Sequence, residues 1–337
     1  MLIARAPVRV SFFGGGTDIP AYYERFGGAV LSTAIDKYFY VVLGQSDDSV
    51  QVSSSDYRTF FQHRRGASWS VDDDMRLPRA VLDKFGVYQG LSIFLSSEVP
   101  PGTGLGSSST VAVALIKALA TYCGQQLSPE EVAELACEIE IGRLAQPIGK
   151  QDQYAASFGG TNFIEFRQDS SVAVTPIALS PETRRELERR VLLFYTGRCR
   201  ESAAILTRQR RRISEDSEET LRACDEMKAQ AYRARDLLRD GRLDDFGSLL
   251  REGWQAKKRA AAGVSNPRTE RAYGIAREAG ALGAKVAGAG GGGFMLVYSA
   301  EGRQDDITSA LEGEGLAPMN FRFDSSGARV LVNALAA

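Results

Sequence analysis

The stretch PPGTGLGSSST, residues 100–110, places glycines and hydroxyls immediately before an apolar helical pattern. A helix N-terminus presents unpaired N–H groups and a partial positive charge, and a glycine turn before it lets phosphate oxygens reach the backbone. Pro101, Gly102, Gly104, Leu105 and Gly106 form the turn, and Ser107, Ser108 and Ser109 add hydroxyls. An ordinary capped turn is the alternative reading of the same residues. The glycines at 102, 104 and 106 do not follow G-x-G-x-x-G, and no acidic residue for a ribose follows in YCGQQLS. The Gly-Lys-Ser/Thr ending of the common phosphate loop is also missing. Any positive charge for a phosphate must therefore come from elsewhere.

Several carboxylates and cations stand where they could supply chemistry. Glu140 has Ala133, Ala136, Cys137 and Leu144 at helical spacing, so it is a lone carboxylate on a small apolar stripe. Burial without a partner would be costly. Either it snorkels out from the edge of the core or it ligates a metal. Asp152 follows a Pro147–Gly149 loop, where an aspartate commonly caps a helix. Lys150, two residues away, could hold a phosphate or lower the aspartate's pKa. In the first segment, MLIARAPVRVSFFGGGTD, Arg5 and Arg9 share one strand face leading to Gly15, Gly16, Thr17 and Asp18. A second glycine run, KVAGAGGGGF, contains Gly290 and Gly291 and would allow close backbone approach, or would simply make a tight turn.

The elements that must position these groups follow from periodicity. Ala4, Ala6, Val8, Val10 and Phe12 alternate along a first strand over 2–13, and KYFYVVLG suggests a second near 37–44. LSIFLSSEVP forms a strand that delivers the chain to the glycine turn. A helix starts at the serines, with Val111, Leu115, Ala118, Leu119 and Tyr122 on its apolar side, and ends at Gly124. A second helix opens with Ser128 as N-cap, Pro129 at its first position and Glu131 completing a capping box. From about 180 the texture changes. A charged helical stretch spans roughly 200–262, a helix covers about 267–280 and another about 303–313. NFRFD and ARVLVN read as closing strands. Strands and helices mix without even alternation, which argues for α+β layers.

The chain has 337 residues and is 44% hydrophobic, which suits two modest domains. Lysine plus arginine total 41 against 42 acidic residues, so no long-range field favours nucleic acid or an anionic membrane. The four cysteines form no CxxC pair and read as small buried thiols. The single histidine, His63, leaves little material for a zinc site or a Ser-His-Asp triad and is placed on a surface turn. The first residues lack a signal-peptide core, and no run approaches the roughly 18 apolar residues of a membrane span. A reduced, cytoplasmic protein is expected.

Three motifs occur in the order found in the GHMP small-molecule kinases: RAPVRVSFFGGGTD, PPGTGLGSSS and KVAGAGGGGF. GKQDQYAASFGG resembles the segment that carries that family's catalytic aspartate. Together they span residues 5–294. The resemblance implies a two-domain α+β GHMP fold. An N-terminal ATP-binding domain, residues 1–180, would contain a left-handed βαβ crossover, and a ferredoxin-like C-terminal domain would span 181–337. ATP would lie under the loop 102–108 in the cleft between them. By the same resemblance Asp152 is the catalytic base, Arg9 the cation beside it, and Glu140 with Ser108 the Mg²⁺ ligands. Arg5, Gly15, Gly16, Thr17, Asp18, Lys150, Gly290 and Gly291 are assigned to the acceptor substrate.

Galactokinases carry Gly-Glu-His-Thr-Asp where this chain has GGGTD, which speaks against galactose. The N-terminal segment is most similar to heptose-phosphate kinases, with fucokinases next. The expected partners are a sugar phosphate and ATP, with a homodimer left open. A distal phosphate would need Arg5, Lys37, Lys150, Arg198 or Arg200. A nucleotide-binding sensor on a kinase fold, or an isoprenoid-pathway kinase, are the other readings the residues permit.

Overall fold

The computed structural model describes residues 1–55, 59–64, 75–197 and 202–334. The chain opens with β1 (Leu2–Phe13), α1 (Pro20–Phe26) and β2 (Gly28–Gln45). β2 starts nine residues earlier than KYFYVVLG suggests, because the small and β-branched run GAVLSTAI extends the same strand. Its two halves serve different neighbours. Phe39–Gln45 pair with β5 (Leu91–Ser97), whereas Gly28–Thr33 pair with β6 (Thr161–Phe166).

β3 (Ser49–Ser54) and β4 (Thr59–Arg64) form a hairpin, and β3 lies parallel to β5 through a crossover containing α2 (Arg76–Phe85). His63 sits on β4, opposite Val50, and is only 5% exposed, not on a surface turn. Pairing with β3 turns its face inward.

Three helical pieces back this sheet. α3 (Ser107–Tyr122) is the central one: Val111 through Ile116 are all buried, so it is apolar around most of its circumference. α4 (Pro129–Cys137) carries the complete capping box, with the Ser128 hydroxyl accepting from the Glu131 N–H. It runs into a π-helical turn, Glu138–Arg143, and a loop leads on to α5 (Gln151–Phe158). β7 (Val172–Pro176) borders β6.

The second half begins with α6 (Pro181–Arg190) and β8 (Val191–Tyr195). The charged stretch then divides into α7 (Ser202–Ser214), α8 (Glu218–Arg239) and α9 (Leu243–Ala260). α10 (Pro267–Glu278), β9 (Ala281–Val286), β10 (Phe294–Ser299), α11 (Gln304–Gly313) and β11 (Ala317–Pro318) follow. The antiparallel sheet order β11-β8-β10-β9 is the 4-1-3-2 arrangement of a ferredoxin-like unit, helices intervening after its first and third strands.

The chain then returns to the first sheet. NFRFD forms no strand beyond one bridge, Phe323 to Ile35. It is nevertheless stitched across: the Asp36 N–H donates to the Arg322 carbonyl and the Asp324 N–H to the Ala34 carbonyl. β12 (Arg329–Asn333) pairs antiparallel with β1. The larger sheet therefore runs β12-β1-β2-β5-β3-β4, with a strand from the end of the chain on its margin.

Candidate active site

The glycine turn 102–106 sits where β5 hands the chain to α3. Gly102, Gly104 and Gly106 have φ values of 72°, 84° and 80°, conformations that side chains resist. Gly106 is the N-cap of α3, so the free N–H groups of the first helical turn open beside the turn. A cleft of about 550 Å³ lies over it, lined by Gly102, Gly104, Gly106 and all three serines, 107–109. The Leu105 side chain turns into the core and Pro101 lies off the lining.

Opposite the turn, Arg9 of β1 is 3% exposed. Its Nε and Nη2 both donate to Asp152 Oδ1, at 2.7 and 2.6 Å, and its Nη1 donates to the Gly104 carbonyl at 2.7 Å. One guanidinium thus ties the first strand, the glycine turn and α5 together. Both contacts to Asp152 converge on one oxygen. Among the described residues Oδ2 takes no hydrogen bond, and Asp152 lines the cleft in the first turn of α5.

The GGGTD segment divides its labour. Gly15, Gly16 and Asp18 line the cleft. Asp18 is buried and accepts from the Gly16 N–H at 2.7 Å and the Gln151 N–H at 3.1 Å. Desolvation raises its pKa, opposed by the Gly16 N–H. Asp18 is thus also the brace that sets the start of α5. Thr17 is wholly buried, and its hydroxyl bonds the Gly14 and Ala29 carbonyls, closing the turn rather than facing the cleft.

Three expected substrate cations are elsewhere. Arg5 stacks on the Tyr38 ring at 3.6 Å, off the lining. Lys150 donates to the Ser170 carbonyl and lies over Tyr23, because its position just before α5 points it to the outer side. Lys37 is not part of the lining either. Arg198 and Arg200 lie outside the described residues. The second glycine run reaches the cleft two residues earlier than expected, through Gly288 and Ala289. Gly290 packs on Val264, where a Cβ would come 2.6 Å from its carbonyl oxygen, and the Gly291 N–H donates to that same carbonyl.

Glu140 is fully buried, so it does not snorkel. It lies in the π-turn and faces α3 and α5. Its Oε2 accepts from Gln153 Nε2 at 2.7 Å and its Oε1 lies 3.4 Å from Ser108 Oγ. Burial raises its pKa to about 7, against hydrogen bonds from Ser109 and Gln153 that lower it. Gln153 Oε1 beside it is buried without a partner among the described residues. One carboxylate, one hydroxyl and one free amide oxygen, all hard oxygens, suit a magnesium ion held mainly by nucleotide phosphates. Among the described residues no cluster of three or more acidic, histidine or cysteine side chains could hold a metal by itself.

A second cavity, of about 330 Å³, adjoins the first through Ser108 and Gln146. Phe39, Met75, Leu77, Pro78, Leu95 and Val111 give it apolar walls.

The motif order and the two-sheet fold agree with comparison to known proteins. Residues 75–160 match the family description "GHMP kinases N terminal domain" and residues 234–315 match "GHMP kinases C terminal". A D-glycero-alpha-D-manno-heptose 7-phosphate kinase from Campylobacter jejuni is 32% identical over 331 residues, covering 96% of this chain and 97% of the relative. The chain belongs to the GHMP kinases. The solved structure of a D-glycero-D-manno-heptose 1-phosphate kinase from Bacteroides thetaiotaomicron superposes on this GHMP kinase with a TM-score of 0.82. It covers 99% of both chains at 26% identity. An L-fucokinase/L-fucose-1-P guanylyltransferase from Bacteroides fragilis is 26% identical, over 88% of this chain and 34% of its own length. This GHMP kinase is an ATP-dependent phosphotransferase acting on a hydroxyl group, of the sugar-phosphate kinase type. No described helix is long and apolar enough to cross a membrane.

Among the lining residues that sequence reading missed are Gln151, Gln209 and Lys257. Gln151 stands in the GKQDQ motif and could have been found there. The other two lie in the charged helical stretch, where nothing in the local pattern separates them from solvated neighbours.

Proposed function

We propose that this kinase transfers the γ-phosphoryl group of ATP to the anomeric hydroxyl of D-glycero-D-manno-heptose 7-phosphate. The product is the 1,7-bisphosphate, which would feed a nucleotide-activated heptose for capsule or other surface glycans. The Arg9–Asp152 couple, with Asp152 Oδ2 left open to the cleft beside the glycine turn, carries the reading. Two relatives that are heptose-phosphate kinases support the sugar class.

Phosphoryl transfer needs alignment, charge neutralisation and a proton acceptor. The N–H groups at the start of α3 hold phosphate oxygens, and the apolar cavity around Phe39 and Val111 takes the nucleotide base. Asp152 Oδ2 accepts the sugar hydroxyl proton as the new P–O bond forms and the bond to the β-phosphate breaks. Arg9 holds that carboxylate in place through its two contacts to Oδ1. Gln151, whose Oε1 is buried without a partner among the described residues, is placed to accept from a sugar hydroxyl. Ser108 and Glu140 would hold Mg²⁺, which supplies charge neutralisation across the phosphates.

ADP release measured with heptose 7-phosphate, heptose 1-phosphate, L-fucose, mannose and galactose tests the reading. Turnover is expected with the 7-phosphate, falling by about 10²–10⁴-fold in Asp152→Asn. Preference for unphosphorylated fucose would move the assignment to a fucokinase-like enzyme. ATP binding without turnover of any sugar would favour a sensor.

A further inference from the structure

The phosphate loop of this kinase has no lysine, and Arg9 spends its Nε and one donor from each terminal nitrogen on Asp152 and the Gly104 carbonyl. Only one other cation among the described residues lines the cleft: Lys257, in the last turn of α9. It is 9% exposed. Its Nζ donates to the carbonyl of Gly288, in the second glycine turn. That turn presses on the phosphate loop, since a Cβ at Gly288 would lie 2.5 Å from the Gly104 Cα. Lys257 thus stands across from the loop, on the C-terminal domain.

Its surroundings are short of negative charge. A buried ammonium is normally matched by a carboxylate. Here the hydrogen-bond partner is a neutral carbonyl, and no ion pair to Lys257 is formed among the described residues. The charged groups facing it are Arg9 on β1, Asp18 ahead of α1, Asp152 on α5 and Lys285 on β9. Asp152 is held by Arg9, and Asp18 is held by two backbone N–H groups. Lys285 donates into the Ser11 and Phe12 carbonyls. The anion that would balance Lys257 is missing from the protein and must come with the ligand.

We propose that Lys257 is a catalytic residue whose ammonium binds the phosphoryl group in transfer, from the domain opposite the glycine loop, in place of the lysine that loop lacks. The assignment rests on the kinase reading above. Two of its three N–H donors remain for phosphate oxygens, and no bond to Lys257 forms or breaks. Burial, and secondarily Arg9, lower its pKa to about 8, so the free enzyme holds it near the point of losing its charge. An arriving polyphosphate raises that value again.

Lys257→Met and Lys257→Arg test this with two independent readouts. The first is binding of ATP against ADP with Mg²⁺, by calorimetry, which needs no sugar and no turnover. Lys257→Met is expected to lose about tenfold of the preference for ATP over ADP, and Lys257→Arg to keep most of it. The second is kcat with the sugar that wild type turns over fastest. Methionine should lower it by about 10²–10³-fold with KM for sugar within a few-fold, and arginine should recover at least about tenfold of that. Wild-type kcat/KM should fall above about pH 8, and this limb should be absent in Lys257→Arg. An unchanged ATP-over-ADP preference in a Lys257→Met protein that melts like wild type would overturn the proposal. So would a loss confined to KM for sugar. Wild-type protein that releases ADP with no sugar would sink the kinase reading instead, while the nucleotide comparison would still decide the role of Lys257.

Discussion

Arg9 makes three short contacts with one planar group, two to Asp152 Oδ1 and one to the Gly104 carbonyl. A lysine can offer a charge at that place but not the same fork. Arg9→Lys should therefore keep the fold and lose about 10–100-fold in kcat, measured by ADP release. Arg9→Met should lose more and also melt lower, because it leaves the Gly104 carbonyl and a part-buried Asp152 without their donor. Glu140 gives a prediction of opposite sign for stability. Its folded pKa, about 7, lies above its ordinary value near 4.5. The folded state then binds more protons than the unfolded state between those values, so this group's contribution to stability falls as pH rises from about 4.5 to 7. In metal-free buffer Glu140→Gln should remove that loss, melting higher than wild type at pH 8 by an amount equivalent to roughly 1–3 kcal/mol. The same variant should be strongly impaired as a kinase and need more magnesium.

Between elements, the decisive feature is that two glycine turns from different domains touch. A Cβ on Gly104 would meet the Ala287 carbonyl oxygen at 2.5 Å, and one on Gly288 would meet the Gly104 backbone. Gly104→Ala and Gly288→Ala each force the turns apart, and each should cut kcat by tens-fold or more. Because both disturb one contact, the double variant should be far less impaired than the product of the two losses. Gly149→Ala tests the brace at α5: its Cβ would lie 2.0 Å from Asp18 Oδ2, so it must dislodge Asp18 and with it the start of the helix that carries Asp152. A lower Tm and a large kcat loss together are expected.

At this scale much of the site was legible beforehand. The capping box at Ser128, the strand into the glycine turn and the α3 serines all follow from local pattern. The pairing of Arg9 with Asp152, 143 residues apart, was expected only through family resemblance. What escaped was decided by distant packing. Thr17 and Lys150 have polar side chains in the right segments, yet β2 and Tyr23 take them away from the cleft. Helical spacing placed Glu140 on the stripe of Ala133, Ala136 and Cys137, but whether it stayed buried or snorkelled out was decided by packing against α3 and α5.

For the molecule as a whole, the two domains are joined by more than the connection at α6. Lys285 on β9 reaches the Ser11 and Phe12 carbonyls of β1, just ahead of the GGG turn, and the segment around Arg322 crosses back to β2. This seam holds the two walls of the cleft in register. β1 also has β12 along one side, formed from residues 329–333. Shortening the chain after Gly327 would uncover that side of β1 and leave its N–H and C=O groups without their ladder. Such a protein should melt several degrees lower and aggregate on heating, followed by light scattering. The order of synthesis adds a constraint. On the ribosome, β1 has to wait, one side open, until some 300 further residues have emerged and β12 arrives to seal it.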